Sequence, residues 1–122
     1  TAVGKDTVLT LLAAATTVNG KKVFKKCKSC HTANKDGKNT IGPNLWDVVG
    51  RASASVAGYS YSAPLKEKGG NWSYANLDAF LLSPKSYAKG TKMSFSGLKK
   101  ATDRAAVIAY LRSLSDSPKP LP

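Results

Sequence analysis

Apolar residues recur along this chain in short clusters at helical spacing, and nowhere do they alternate with polar ones over the length of a strand. In the stretch Gly20 to Ser29, Val23 and Phe24 supply one apolar face, with Val18 just before it. Leu77, Phe80 and Leu81 fall at i, i+3 and i+4, which puts them on one side of a helix. Val107, Ile108, Leu111 and Leu114 make a longer stripe, with Tyr110 at its edge. The segment ends carry matching signals. Ser62 can cap a helix that holds Pro64 in its first turn and stops at Gly69. Ser73 can cap the next, which Pro84 ends. Thr102 can cap the last, with Asp103 in its first turn favouring the helix dipole. The pattern predicts an all-α fold of four to five short helices.

Between these elements, Thr32 to Pro43 is rich in turn formers: Asn34, Asp36, Gly37, Asn39, Gly42 and Pro43. Leu45, Trp46, Val48 and Val49 form an apolar cluster closed by Gly50, and residues 52–60 are small and polar. Long loops in so small a domain need something to organise them, and a buried cofactor would do so. Residues 1–17 hold an apolar patch, Val8 to Ala15, preceded by Lys5 and interrupted by Asp6. A signal-peptide remnant and a short packed helix both suit it; the short helical extension is the expectation. Residues 18–116 are expected to form the domain. The Pro-rich end, 117–122, cannot continue a helix and is expected to be extended or mobile. No apolar run approaches the roughly 20 residues a membrane span needs.

A length of 122 residues suits one domain. The composition, 42% hydrophobic and 21% charged, is that of a soluble globular chain. Charge adds a second constraint. The net charge is +12, from 19 Lys and Arg against 7 Asp and Glu, so acidic partners are favoured. All the cations but Arg51, Arg104 and Arg112 are Lys. Direct reading of bases favours Arg, so the bias leans away from sequence-specific nucleic-acid binding. The scarce residues say more: the chain has two Cys, one His and one Met.

Both Cys and the His lie in Cys27-Lys28-Ser29-Cys30-His31, the spacing of a covalent haem-attachment site. Two thiols one helical turn apart can add across haem vinyl groups, and the adjacent His then reaches the iron. A thioredoxin-like pair would sit near a βαβ pattern, and none is present. A structural zinc site wants four N or S ligands, and only two Cys and one His exist. A chance pentapeptide is the bland alternative. With haem bound, the lone His excludes bis-His ligation within the chain, which leaves Met93, in a polar Gly- and Lys-containing loop, as the second axial ligand. His/Met ligation raises the iron's potential and fills both axial positions, which points to an electron carrier and not an enzyme. The rivals are a haem enzyme or ligand sensor with a labile Met93, and a haem-free basic interaction module.

With these residues in place, the chain resembles the class I cytochromes c, of the bacterial cytochrome c2 type that is similar to mitochondrial cytochrome c. The likeness runs from about Gly20 to Leu114. It rests on Lys21 to His31, Ile41-Gly42-Pro43-Asn44-Leu45, Val49-Gly50-Arg51, Tyr59 to Ser62, Trp72, Ser83-Pro84-Lys85, Gly90 to Phe95, and Ile108 to Leu111. It implies a small cytochrome c fold wrapped around one haem c, attached through two thioethers. It implies that the Pro43 carbonyl accepts a hydrogen bond from His31. It places Arg51, Tyr61, Trp72 and Thr91 near the haem propionates, with Phe80 and Phe95 in the same pocket. It implies that Gly20 and Phe24 meet Tyr110 where the first and last helices cross. Phe80 stands where many relatives carry Tyr, Leu65 where a polar residue is frequent, and Lys89 where Pro is frequent. Lys25, Lys26, Lys28, Lys85, Lys92, Lys99 and Lys100 flank the two ligand segments and are the candidate docking residues. The implied partners are acidic surfaces of a cytochrome bc1-type donor and of an oxidase or photosynthetic reaction-centre acceptor, met by a monomer. The implied compartment is the bacterial periplasm, with the mitochondrial intermembrane space second.

Overall fold

The computed structural model describes residues 11–12, 15–28, 30–53, 61, 63–89, 93 and 95–121. The Ser62 cap, most of the N-terminal patch, and the pocket and docking candidates Thr91 and Lys92 lie outside these residues. Five helices lie wholly within them: α1 (Thr17–Phe24), α2 (Ala63–Lys68), α3 (Tyr74–Leu82), α4 (Pro84–Tyr87) and α5 (Ala101–Ser113); Leu11 and Leu12 are helical as well. The described residues hold no β-strand, only one antiparallel bridge between Ala52 and Asn71. The expected all-α fold is therefore observed, with no helix long and apolar enough to cross a membrane among the described residues.

The helix ends differ from expectation in three places. The first helix starts before Gly20, because the Thr16 hydroxyl accepts the Asn19 amide at 3.2 Å and so caps it. It also stops at Phe24, and Lys25 to Lys28 form tighter turns. The Cys27 amide bonds the Phe24 carbonyl at 2.7 Å, and the Cys30 and His31 amides both bond the Cys27 carbonyl. The last helix starts at Ala101 and not after a Thr102 cap. Lys100 holds the cap position without a side-chain bond, and its carbonyl accepts the Arg104 amide at 3.1 Å. Pro84 does end α3 after Ser83, but it also opens the single turn of α4, where its missing N–H costs nothing. Ser73 caps α3 as expected, accepting the Asn76 amide at 3.1 Å.

The core sits where α1 and α3 meet α5. Gly20 lets α1 and α5 approach closely: a Cβ there would collide with the Ala106 carbonyl and crowd Tyr110. Phe24, 1% exposed, packs its ring 5.2 Å from that of Tyr110. Leu12 is buried in the same core, so part of the N-terminal patch packs on the domain. The Pro-rich end takes no helical turn but is tied down. The Tyr74 hydroxyl donates to the Lys119 and Pro120 carbonyls, and Arg112 Nε donates to Lys119 at 2.5 Å. Lys119 lies over Gly50, and Ser115 and the Leu114 carbonyl bond Asp47.

Candidate haem-binding site

The turn after α1 presents Cys27, Cys30 and His31 to one cavity of about 330 Å³. Its walls come from Phe24 on α1, from Leu77, Phe80 and Leu81 on α3, and from Val107 and Leu111 on α5. Loops complete it with Pro43, Arg51, Tyr61, Trp72, Met93 and Phe95. The volume lies in the range of small-molecule sites, which are mostly apolar with a few placed polar groups.

His31 is held from several directions. Its Nδ1 donates to the Pro43 carbonyl at 2.8 Å, leaving the Nε2 lone pair available to an electrophile. Burial pushes its pKa down; the Pro43 contact opposes this, and the Arg51 charge adds to it. The net lowering favours neutral imidazole, the form that binds metal. Gly42 is pressed against the ring, and a Cβ there would overlap it. The loop under the ring is stitched by Asn44, whose Nδ2 donates to the Thr32 hydroxyl at 2.8 Å and the Asn34 carbonyl at 3.0 Å. Its Oδ1 accepts the Trp46 amide at 3.1 Å. The Cys30 carbonyl takes two bonds of 2.6 Å, from the Thr40 hydroxyl and the Gly42 amide. No disulfide joins Cys27 and Cys30. Burial first, then the neighbouring Cys30, pushes the Cys27 thiol up to about 11 against the pull of Lys26.

Met93 is half-buried against the core and lines the same cavity. Trp72 and Phe80 are buried in its wall, their rings 5.2 Å apart, and Tyr87 stacks on Trp72 at 5.7 Å. Arg51 donates through Nη1 to the Asn44 and Trp46 carbonyls at 3.2 and 3.1 Å. Its Nε is buried with no hydrogen-bond partner among the described residues. Burial lowers the Arg51 pKa, and Tyr61 and Asp47 oppose it. A half-buried guanidinium with a buried donor to spare on an apolar cavity is a place for an anion. Lys25, Lys26, Lys28, Lys85, Lys99 and Lys100 are all exposed, and Lys26 reaches the cavity rim.

A family model described as Cytochrome c matches residues 17–115. The chain is 52% identical over 103 residues, 84% of its length, to a cytochrome c homolog of Rickettsia bellii, covering 60% of that relative. It is 45% identical over 122 residues, 99% of its length, to one of Bradyrhizobium diazoefficiens, covering 66%. It is 49% identical over 100 residues, 81% of its length, to cytochrome c of Nigella damascena, covering 90%. The chain belongs to the cytochrome c family. It spans about 60% of the length of the Rickettsia relative and 66% of the Bradyrhizobium one. The cofactor of the family is a covalently attached haem c with its iron, and this chain carries it.

The site suits that group on its own terms. Its lining is largely apolar, as a tetrapyrrole requires, and a neutral, oriented imidazole stands beside two thiols. The spare Arg51 donor would suit a haem carboxylate. Sequence reasoning singled out every one of these residues but missed their supports. Asn44, Thr32 and Thr40 act through hydrogen bonds to loop backbone, which a lone Asn or Thr does not advertise. The buried Asp78–Arg104 pair was also missed, although an Asp inside the apolar run Leu77 to Leu82 was a visible signal.

Proposed function

We propose that this chain is a monohaem single-electron carrier of the bacterial c2 type. Cys27 and Cys30 would hold the haem by thioethers, and His31 and Met93 would ligate its iron. The observation that carries this reading is the convergence of these four side chains on one apolar cavity, with the His31 ring held by Pro43. The haem supplies the redox-active iron. His31, oriented by Pro43 and Gly42, keeps its lone pair in one direction through both oxidation states, so little has to rearrange. Met93 closes the remaining position to oxygen and peroxide. Arg51 and Tyr61, with Trp72 and Thr91, balance the propionates, and Phe80 and Phe95 keep the pocket dry.

The exposed Lys25, Lys26, Lys28, Lys85, Lys99 and Lys100, with Lys92 as a further candidate, would steer acidic redox surfaces towards the haem. The carrier acts as a monomer between a cytochrome bc1-type donor and an oxidase or reaction-centre acceptor, outside the cytoplasm. A periplasmic setting suits the reading first, the mitochondrial intermembrane space second. The test is a redox titration of the haem-loaded protein together with its reduction by an acidic redox protein over a salt series. The reading expects one reversible electron per haem and an on-rate that falls steeply with salt. A rate indifferent to salt rejects this role for the lysines. Rapid, complete carbon monoxide binding to the reduced protein at neutral pH rejects the closed iron.

A further inference from the structure

Two charged side chains are buried away from the cavity, Asp78 on α3 and Arg104 on α5, each 4% exposed. Arg104 Nε meets Asp78 Oδ1 at 2.5 Å. Burying an ion pair is a poor route to stability, since apolar residues of the same volume do as well or better. The remaining bonds of Arg104 indicate what the pair does. Its Nη1 donates to the Leu98 carbonyl at 3.0 Å and the Lys99 carbonyl at 2.9 Å. Those carbonyls belong to the segment that follows Met93. The same segment is pinned twice more to the end of α3. The Leu98 amide bonds the Leu81 carbonyl at 2.7 Å. Gly97, at a φ of +112°, lies so close to the Leu82 carbonyl that a Cβ would collide with it. Between Met93 and this anchor the described residues form no helix or strand.

We propose that the Asp78–Arg104 pair is a positioning device for Met93. Asp78 holds the guanidinium so that Nη1 faces two backbone carbonyls, and this roots the C-terminal side of the Met93 loop on α3 and α5. With the root fixed, Met93 would be held at the iron; with it released, an added ligand would compete with Met93 more easily. The proposal rests on the reading that Met93 ligates the iron.

The experiment uses the haem-loaded protein and measures equilibrium binding of imidazole to the ferric form, with the weak sulfur-to-iron absorption band in the red and denaturant unfolding recorded alongside. The double variant Asp78→Leu/Arg104→Met removes both charges and leaves no unpaired ion, so it is expected to fold. It loses two hydrogen bonds from a charged donor, so it should bind imidazole about tenfold more tightly or better than the unaltered chain, with a weaker red band. Arg104→Lys keeps the charge without the fork and should fall between. Tyr110→Leu, at the α1–α5 crossing, should lower stability and leave imidazole affinity unchanged. The proposal is overturned if the double variant and Arg104→Lys bind imidazole as the unaltered chain does, or if Tyr110→Leu shifts affinity in proportion to its lost stability. If the unaltered ferric protein lacks the red band, the ligation reading fails and takes the anchor with it.

Discussion

His31 and Met93 reach the same cavity by different routes. The His31 segment is local. Cys27, Cys30 and His31 lie in one turn, and the loop beneath them is stitched by bonds among residues 30–46. Pro43, twelve residues on, orients the ring. The Met93 segment is tied through residues distant from it in the chain. Its root is held from outside, by α3 through Leu81 and Leu82 and by α5 through Arg104. The first arrangement places its side chain through short-range geometry and the second through tertiary packing. The His31 segment should therefore fail as a unit, and the Met93 segment by degrees.

The largest effects break the local side. Cys27→Ala combined with Cys30→Ala should abolish covalent haem altogether, seen as complete loss of haem stain on a denaturing gel. Met93→Ala, in contrast, should keep all its stain while its reduced form gains carbon monoxide binding. Next comes the tertiary side. Asp78→Asn leaves Arg104 buried without its counter-charge and should cost about 3–5 kcal/mol in guanidinium unfolding of the haem-loaded protein. Gly42→Ala tests the fit around the His31 ring. A Cβ must displace the imidazole or the loop, an overpacking cost of about 1–3 kcal/mol by the same measurement.

The smallest effect concerns Tyr87, which stacks on Trp72 at the cavity wall. Burial raises its pKa above the ordinary value of 10. The folded state therefore holds this proton more tightly than the unfolded chain. The associated stability is complete below pH 10 and is lost as pH rises through the raised value. Tyr87→Phe should flatten that part of the stability–pH curve above pH 10 and leave it unchanged at neutral pH, in parallel denaturant titrations.

What was legible in the sequence follows the same division. The pentapeptide and Met93 stood out by spacing and scarcity, and Pro43 through the family resemblance. The Ser73 cap and the α3 stripe were readable because local chemistry decides them. Thr102 failed as a cap because Lys100, on the segment Arg104 grips, already starts the helix. The Asp78–Arg104 pair links positions 26 residues apart, and nothing local to either residue names its partner. The Pro-rich tail, expected to be extended or mobile, is held by Tyr74 and Arg112 through bonds to backbone carbonyls that no side-chain pattern encodes.

The central claim is that one cavity brings a locally fixed His31 and a remotely anchored Met93 to a single iron. The most direct test is the visible spectrum of the ferric haem-loaded protein, taken with that of Met93→Ala. The account predicts a weak sulfur-to-iron band in the red for the unaltered chain and its loss in the variant, with the haem still attached. A spectrum without that band, or one that Met93→Ala leaves unchanged, would contradict it.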